Sequence, residues 1–273
     1  MRLDRSLEEI STFLGASLEA ERCAARPGWL QRRDARAKVL AAAVMLLAVS
    51  LMHHPASLGA LYAVGLLAAA TSRVPMWPLL RREWIVVALF TGVVAAPAMM
   101  QRVTPGPILL ALPHGFTLSE TGVIAAARLV LRAVASVHVA LLLTQTTPWH
   151  RLLRGLRSLG APAVAVMVLS ICHRYIYLLL RMAGEMLTGR EARRVGRVNA
   201  AQARGQIAAS AGALMVRSQD TATAVFQAMA ARGFRGEPKE LSPSRFTAAD
   251  AALVVGSIAF GVAAYLIGGV LNV

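Results

Sequence analysis

Charged residues, lysines and cysteines are all scarce in this 273-residue chain, and each scarcity excludes a class of protein or site. Charged side chains make up 16 % of the chain, well below the ~25 % that is typical of soluble globular proteins. Two cysteines, Cys23 and Cys172, are too few for a disulfide framework or a cysteine-rich zinc site. Neither of the two lysines, Lys38 and Lys239, follows a glycine, so the chain has no P-loop for nucleotide phosphates.

Apolar residues dominate what is present. They make up 56 % of the chain, and the mean hydropathy is +0.56, which predicts an integral membrane protein. The 29 basic residues outnumber 14 acidic ones, so the net charge is +15. In a membrane protein, such an excess indicates arginine-rich loops on the cytoplasmic side rather than a nucleic acid partner.

The uncharged segments predict five membrane spans. Residues 39–72 carry no charge, but as one helix they would be about 51 Å long at ~1.5 Å per residue, too long for a hydrocarbon core of ~30 Å. The His53-His54-Pro55 sequence near the middle predicts a break, and hence two short spans. The other predicted spans are residues 84–100, 122–144 and 251–273.

Residues 162–180 are apolar but are not predicted to cross the membrane. Their uncharged part ends after 11 residues at His173-Arg174, short of the ~20 that a span needs. Residues 181–245 contain eleven basic and five acidic residues, which predicts the inner side for them, as the arginines before the first span do for the N-terminus. We therefore predict an all-α integral membrane protein with about five transmembrane helices, N-terminus inside and C-terminus outside.

This pattern divides the chain into four predicted parts, one of which is a cytoplasmic insert between spans. A helical insert attached to membrane spans at both ends is well placed to transmit motion or to bind a partner. The parts are an amphipathic cytoplasmic segment (1–36), a four-helix transmembrane region (37–144), cytoplasmic coupling helices (145–247) and a last transmembrane helix (248–273).

No cluster of residues indicates catalysis or metal binding. The six histidines are scattered, and no His-x3-His or Cys/His group is present, so we expect no catalytic residue, no bound metal and no cofactor. His138 lies in the fourth predicted span, where we expect its imidazole to hydrogen-bond to a neighbouring helix. Arg132 lies in the same span, which contains no Asp or Glu, so its partner must come from elsewhere.

The sharpest local signal is a helix end at Ala231-Arg232-Gly233. Glycine commonly follows the last helical residue, and arginine suits the negative end of a helix. An arginine exposed at such a tip is available to a carboxylate-lined groove on a partner. A second triplet, Ala203-Arg204-Gly205, occurs 28 residues earlier. The apolar face predicted for the helix before Arg232 consists of Ala222, Val225, Phe226 and Met229.

Four segments along most of the chain together resemble a known family. They are LQRRDARAK at 30–38, similar to an LDPRAK motif with Ala35 in place of proline; LTQTTP at 143–148, similar to a Thr-Thr element; Pro162 with Arg174-Tyr175-Ile176 and Glu185, similar to a Pro…Arg-Tyr-Ile…Glu helix; and AMAARGF at 228–234, similar to AMxARGF. The family is the transmembrane T component of energy-coupling factor (ECF) transporters, EcfT/CbiQ, and the resemblance is greatest to the cobalt-type CbiQ branch.

The resemblance implies that two arginine motifs at helix ends bind grooves of two ABC-type ATPase subunits. Ala231, Arg232 and Gly233 match the second motif. For the first motif, the family's spacing favours Arg194 with Arg193. Arg204 is an alternative, because it lies in a literal Ala-Arg-Gly triplet. The other implied partner is a substrate-binding membrane S component, CbiM/CbiN-like if the substrate is cobalt.

These observations predict a coupling subunit rather than an enzyme. It would transmit ATP-driven motion to the S component of an ECF-type ABC importer for cobalt or nickel ions, as a multi-pass protein of the bacterial inner membrane in contact with lipid. One alternative is a T component for a vitamin. Another is a membrane enzyme acting on an anionic lipid phosphate, for which only Glu185 and Glu191 are near the arginine cluster. A third is a membrane anchor whose basic insert binds anionic lipid.

Overall fold

The computed structural model describes residues 28–98, 108–112, 116–193, 200–236 and 246–270, with six further positions before residue 28. The amphipathic helix predicted within residues 1–36 lies mostly outside the described residues. The chain divides into two compact units. The bundle unit contains residues 20–155 and 244–273, and the insert unit contains residues 156–243 together with 1–19.

The bundle unit is built from helices and one short β-hairpin. Its elements are α1 (Ala35–Leu51), α2 (Pro55–Thr71), α3 (Met76–Ala98), β1 (Ile108–Leu112), β2 (Phe116–Ser119), α4 (Glu120–Thr146), the first part of α5 (Trp149–Ser158) and α8 (Ala248–Val270). The hairpin is antiparallel, with Leu112 opposite Phe116 and Ile108 opposite Ser119. The hairpin is a short addition to an otherwise helical fold, and two strands of four or five residues leave no trace in the hydropathy pattern.

The predicted break between the first two helices is confirmed, and local chemistry explains it. Met52 adopts an extended conformation and ends α1. His54 caps α2, because its Nδ1 accepts a hydrogen bond from the amide of Ala56 at 3.3 Å. Pro55 occupies the first helical position, where its missing N–H leaves no helical bond unmade.

Helix α4 is central to the bundle unit, where it packs against α1, α2 and α3, while α8 packs mainly against α1. The core lies where these helices meet. Its buried apolar residues are Ala48, Val49, Met52, Leu58, Leu61, Ala135 and Ala264. A second, smaller cluster of Ala69, Val74 and Leu79 lies where α2 turns into α3.

The insert unit contains two long helices, α6 (Ala163–Ala192) and α7 (Ala200–Ala231), which pack against each other. Helix α6 continues through the polar pair at 173–174. One reason is that His173 finds a partner within its own helix, one turn away, where its Nε2 lies 3.4 Å from the Tyr177 hydroxyl. The pair therefore does not end the helix.

Three of the described helices are long and apolar enough to cross a membrane. They are Thr121–Thr146, Ala163–Ala192 and Ala248–Ile267. The first and third correspond to the predicted fourth and last spans. The second continues well beyond His173-Arg174 and is long enough to span a membrane. The expectation that residues 162–180 are too short counted only the uncharged residues before that polar pair. Helices α1 and α2 have 17 residues each, at the lower limit for a span, and α3 carries Arg81, Arg82 and Glu83.

Candidate functional site

The carboxyl end of α7 has the geometry that its sequence predicts. Gly233 adopts a left-handed φ of 75°. The Phe234 amide donates to the Met229 carbonyl at 3.1 Å, and the Gly233 amide donates to the Ala230 carbonyl at 2.9 Å. This pair of bonds is a Schellman motif, which satisfies the last helical carbonyls and fixes the direction in which the chain leaves.

Arg232 is exposed at this tip. Its neighbours Ala231 and Gly233 are exposed too, and they carry one side-chain carbon or none, so a partner surface can approach the backbone on both sides of the guanidinium. The described residues contain no carboxylate in ion-pair contact with Arg232. The tip thus presents a positive charge at the negative end of a helix.

The residues predicted for the first arginine motif lie at the junction of α6 and α7. Arg193 follows the last residue of α6, is exposed, and donates its amide to the Arg190 carbonyl at 3.1 Å. Arg194 lies outside the described residues. Arg204 is exposed on the second turn of α7.

The two motifs lie at opposite ends of α7. The end of α6 lies beside the first turns of α7, because the Arg190 guanidinium donates to the Gln206 carbonyl. Arg193 and Arg204 are therefore near the same end of the helix pair. The 28 residues from Arg204 to Arg232 correspond to about 42 Å along a helix axis at ~1.5 Å per residue. One small pocket on a partner cannot contain both ends.

The apolar face predicted for α7 is only partly covered. Val225 and Met229 are half-buried, whereas Ala222 is exposed and Phe226 is 64 % exposed. Met215 and Val216 are also more than 60 % exposed. Large apolar side chains in water are unfavourable at ~25 cal/mol per Å², so this helix has a surface suited to burial against another molecule.

A buried hydrogen-bonded pair links two helices of the bundle unit. His138 Nδ1 on α4 lies 2.6 Å from Glu83 Oε1 on α3, and both side chains are at most 1 % exposed. The Tyr62 hydroxyl on α2 donates to the other carboxylate oxygen at 3.1 Å. The expected bond from His138 to a neighbouring helix is confirmed. Arg132 donates to the Met52 carbonyl at 2.7 Å, so a backbone oxygen on another segment is its partner.

The segment before α1 forms a second polar network. The Asp34 amide donates to Asp250 Oδ1 at 3.1 Å, which joins the starts of α1 and α8. Lys38 Nζ donates to the Thr146 carbonyl at the end of α4, at 2.9 Å. The Gln31 amide group donates to the Ser72 carbonyl at the end of α2, also at 2.9 Å. Residues 31–38 therefore tie together the ends of four helices on one side of the bundle unit.

Sequence reasoning missed Glu83 and the network around residues 31–38. Glu83 follows Arg81 and Arg82 and directly precedes the predicted span at 84–100, so the sequence indicates a charged loop there rather than an ionisable residue inside a membrane helix. Asp34 and Asp250 are far apart in sequence, so no local pattern connects them. Within the described ranges, no group of three or more His, Cys, Asp or Glu residues is arranged to hold a metal ion.

Comparisons with known proteins agree with the motifs. Residues 27–243 match the family model for the cobalt transport protein CbiQ. The chain is 30 % identical over 252 residues to the cobalt transport protein CbiQ of Rhodobacter capsulatus, covering 92 % of this chain and 97 % of that protein. It is 27 % identical over 258 residues to an uncharacterized protein of Methanocaldococcus jannaschii, covering 93 % and 88 %. The chain therefore belongs to the CbiQ cobalt transport protein family.

Proposed function

We propose that this chain is the transmembrane coupling subunit of an ECF-type ABC importer. Two ABC-type ATPase subunits would bind the two ends of α7, and the subunit would transmit their ATP-driven motion to a substrate-binding membrane component. The observation that carries the proposal is the exposed Arg232 at a fixed helix end, with a second arginine site about a helix length away.

The chemistry of the helix tip suits this role. A guanidinium can bind a carboxylate through two parallel hydrogen bonds, which specifies orientation as well as affinity. Each such charge-assisted contact contributes ~1.5–3 kcal/mol. Two contacts on one long helix allow relative motion of two partners to move that helix as a lever.

The proposed topology has five spans in the bacterial inner membrane, with the N-terminus inside and the C-terminus outside. Contact between the starts of α1 and α8 supports it, because two helices that begin on the same side of a membrane are separated, from one start to the other, by an even number of crossings. Helices α1 to α4 supply four. Helix α6 would then lie on the inner side, despite its length.

The proposed substrate is the cobalt ion, carried as cargo by the complex. The family and the Rhodobacter capsulatus relative are both named for cobalt transport. The partner that captures the ion would be a CbiM/CbiN-like S component, and nickel is the closest alternative cargo.

The proposal is tested by the change Arg232→Ala in the affinity-tagged full chain, purified from membranes of its own host. We expect ATPase recovery to fall about 10–100-fold, as loss of one charge-assisted contact predicts, with the same amount of tagged chain in the membrane. Cobalt uptake by the cells should fall in parallel.

The matched control is Arg217→Ala, which removes another exposed arginine from the middle of the same helix. We expect it to leave ATPase recovery unchanged. If Arg232→Ala and Arg217→Ala recover the same amount of ATPase as the unaltered chain, Arg232 is not an attachment point and the proposal fails.

A further inference from the structure

The bundle unit contains a basic pocket beside the segment that leads into α1. Its volume is about 600 Å³, within the ~300–1,000 Å³ typical of ligand sites. The lining residues are Gly28, Trp29, Arg32, Arg33, Thr71 and Arg73. Three of these six are arginines, so the pocket favours an anion.

Contacts position the Arg33 side chain and the Arg73 backbone, and Arg33 also interacts electrostatically with Asp250. The Arg33 guanidinium lies over the Trp29 ring, 5.2 Å from its centroid. Arg73 adopts a left-handed φ of 53° and completes the helix end of α2, where its amide donates to the Ala70 carbonyl at 3.1 Å. Among the described residues, no carboxylate is within ion-pair distance of any of the three guanidinium groups.

An apolar cleft of about 470 Å³ adjoins this pocket, and both Trp29 and Arg33 line the two cavities. Apart from Arg33 and the buried Lys38 at its basic end, the cleft is lined mainly by apolar side chains of α1, α2, α4 and α8. At its far end lie Met45, Leu61, Val139 and Phe260. The two cavities thus place an anion-binding end beside an apolar channel, with Trp29 and Arg33 in the wall that they share.

The length of the cleft matches one leaflet of a bilayer. Along α8 its lining runs from Ala249 to Phe260, which is about 16 Å at ~1.5 Å per residue. Half of a hydrocarbon core of ~30 Å is ~15 Å. The arginines are therefore placed where the headgroups of that leaflet would lie, beside an aromatic residue of the type common at this depth.

We propose that the bundle unit binds one anionic glycerophospholipid, with its phosphate against Arg32, Arg33 and Arg73 and an acyl chain in the cleft. The inference rests on these helices lying in a membrane and does not depend on the role of Arg232. Charge complementarity selects the phosphate, and the apolar cleft selects a lipid over a free phosphate ion.

The test is thermal unfolding of the purified full chain in detergent, titrated with phosphatidylglycerol. We expect phosphatidylglycerol to raise the unfolding temperature with saturation, phosphatidylcholine with the same acyl chains to do so much less, and glycerol phosphate alone not to do so. Equal effects of the two lipids, or an equal effect of glycerol phosphate, would each overturn the proposal, since the site would then lack headgroup selectivity or lipid selectivity.

Two pairs of variants locate the effect. The double change Arg32→Gln and Arg73→Gln should weaken the apparent affinity for phosphatidylglycerol about thirtyfold, or about 2 kcal/mol, at roughly 1 kcal/mol per basic residue. The control double change Arg204→Gln and Arg217→Gln removes the same charge from exposed positions of α7 and should keep the affinity. Equal weakening by both pairs would mean that only net charge matters, and the proposal would fail.

The cleft is tested by Gly256→Leu. Gly256 lines the cleft, and a Cβ atom added there meets no other atom within 4 Å, so a side chain at this position can enter the channel. We expect loss of the phosphatidylglycerol effect. Gly59→Leu, on α2 and also in open space but outside the cleft, should retain the effect; retention by both variants would overturn the placement of the acyl chain.

Discussion

The two Ala-Arg-Gly triplets of α7 have the same letters and different structures. Gly205 continues the helix, whereas Gly233 ends it with a left-handed φ of 75°. Helix-forming residues follow the first triplet, while Phe234, Arg235 and a second left-handed glycine, Gly236, follow the other. The surrounding sequence, rather than the triplet, decides whether the arginine lies on the side of a helix or at its tip.

The largest effect is expected at the α6–α7 junction, where two sets of variants show which arginines bind an ATPase. The double change Arg193→Ala and Arg194→Ala should lower ATPase recovery about 10–100-fold, because a charge-assisted contact contributes ~1.5–3 kcal/mol. Arg204→Ala should leave recovery unchanged, because Arg204 lies on the side of α7. A loss with Arg204→Ala and none with the double change would assign the first motif to the literal triplet.

A smaller effect is expected at two glycines of α2 in the bundle unit. Here too, the surroundings of each glycine decide what a substitution does. A Cβ atom at Gly65 would lie 2.6 Å from His138 Cδ2, whereas one at Gly59 would meet nothing within 4 Å. We expect Gly65→Ala to lower the free energy of unfolding by about 1–3 kcal/mol through overpacking. Gly59→Ala should raise it by about 0.5–1 kcal/mol, since alanine favours the helix. Thermal unfolding in detergent measures both, and equal shifts would contradict the close contact.

The smallest effect is expected when the glycines of the two triplets are each changed to alanine. Gly233→Ala forces a Cβ atom into a left-handed conformation that costs about 1–2 kcal/mol, so the helix tip should shift and ATPase recovery should fall about five- to thirtyfold at most. Gly205→Ala should stabilise α7 without changing recovery. Hydrogen exchange at the end of α7 provides the local readout; unchanged exchange in Gly233→Ala would show that the tip tolerates alanine.

Local signals in the sequence were enough for the helix ends. The break at His53-His54-Pro55 and the end at Gly233 each follow from residues within one turn, because proline and glycine act on the backbone where they stand. The apolar segments that form α4 and α8 were predicted for a similar reason. Each is a continuous run of residues with few or no charges.

Contacts between distant segments could not be found in this way. Glu83 and His138 are 55 residues apart, and Lys38 and Thr146 are 108 apart. Hydropathy and helical spacing describe one helix at a time, so they cannot pair side chains across helices. The length of α6 was underestimated for a different reason, since the polar pair at 173–174 was counted as the end of the apolar run.

The bond between Asp34 and Asp250 also bears on how the protein is made. These residues are 216 positions apart, so the ribosome completes the first helix long before the last one exists. Domains fold during synthesis from the N-terminal side. The Asp34 amide therefore lacks its final acceptor until α8 is inserted. Assembly of the bundle is therefore a closing step that only the last segment of the nascent chain can complete.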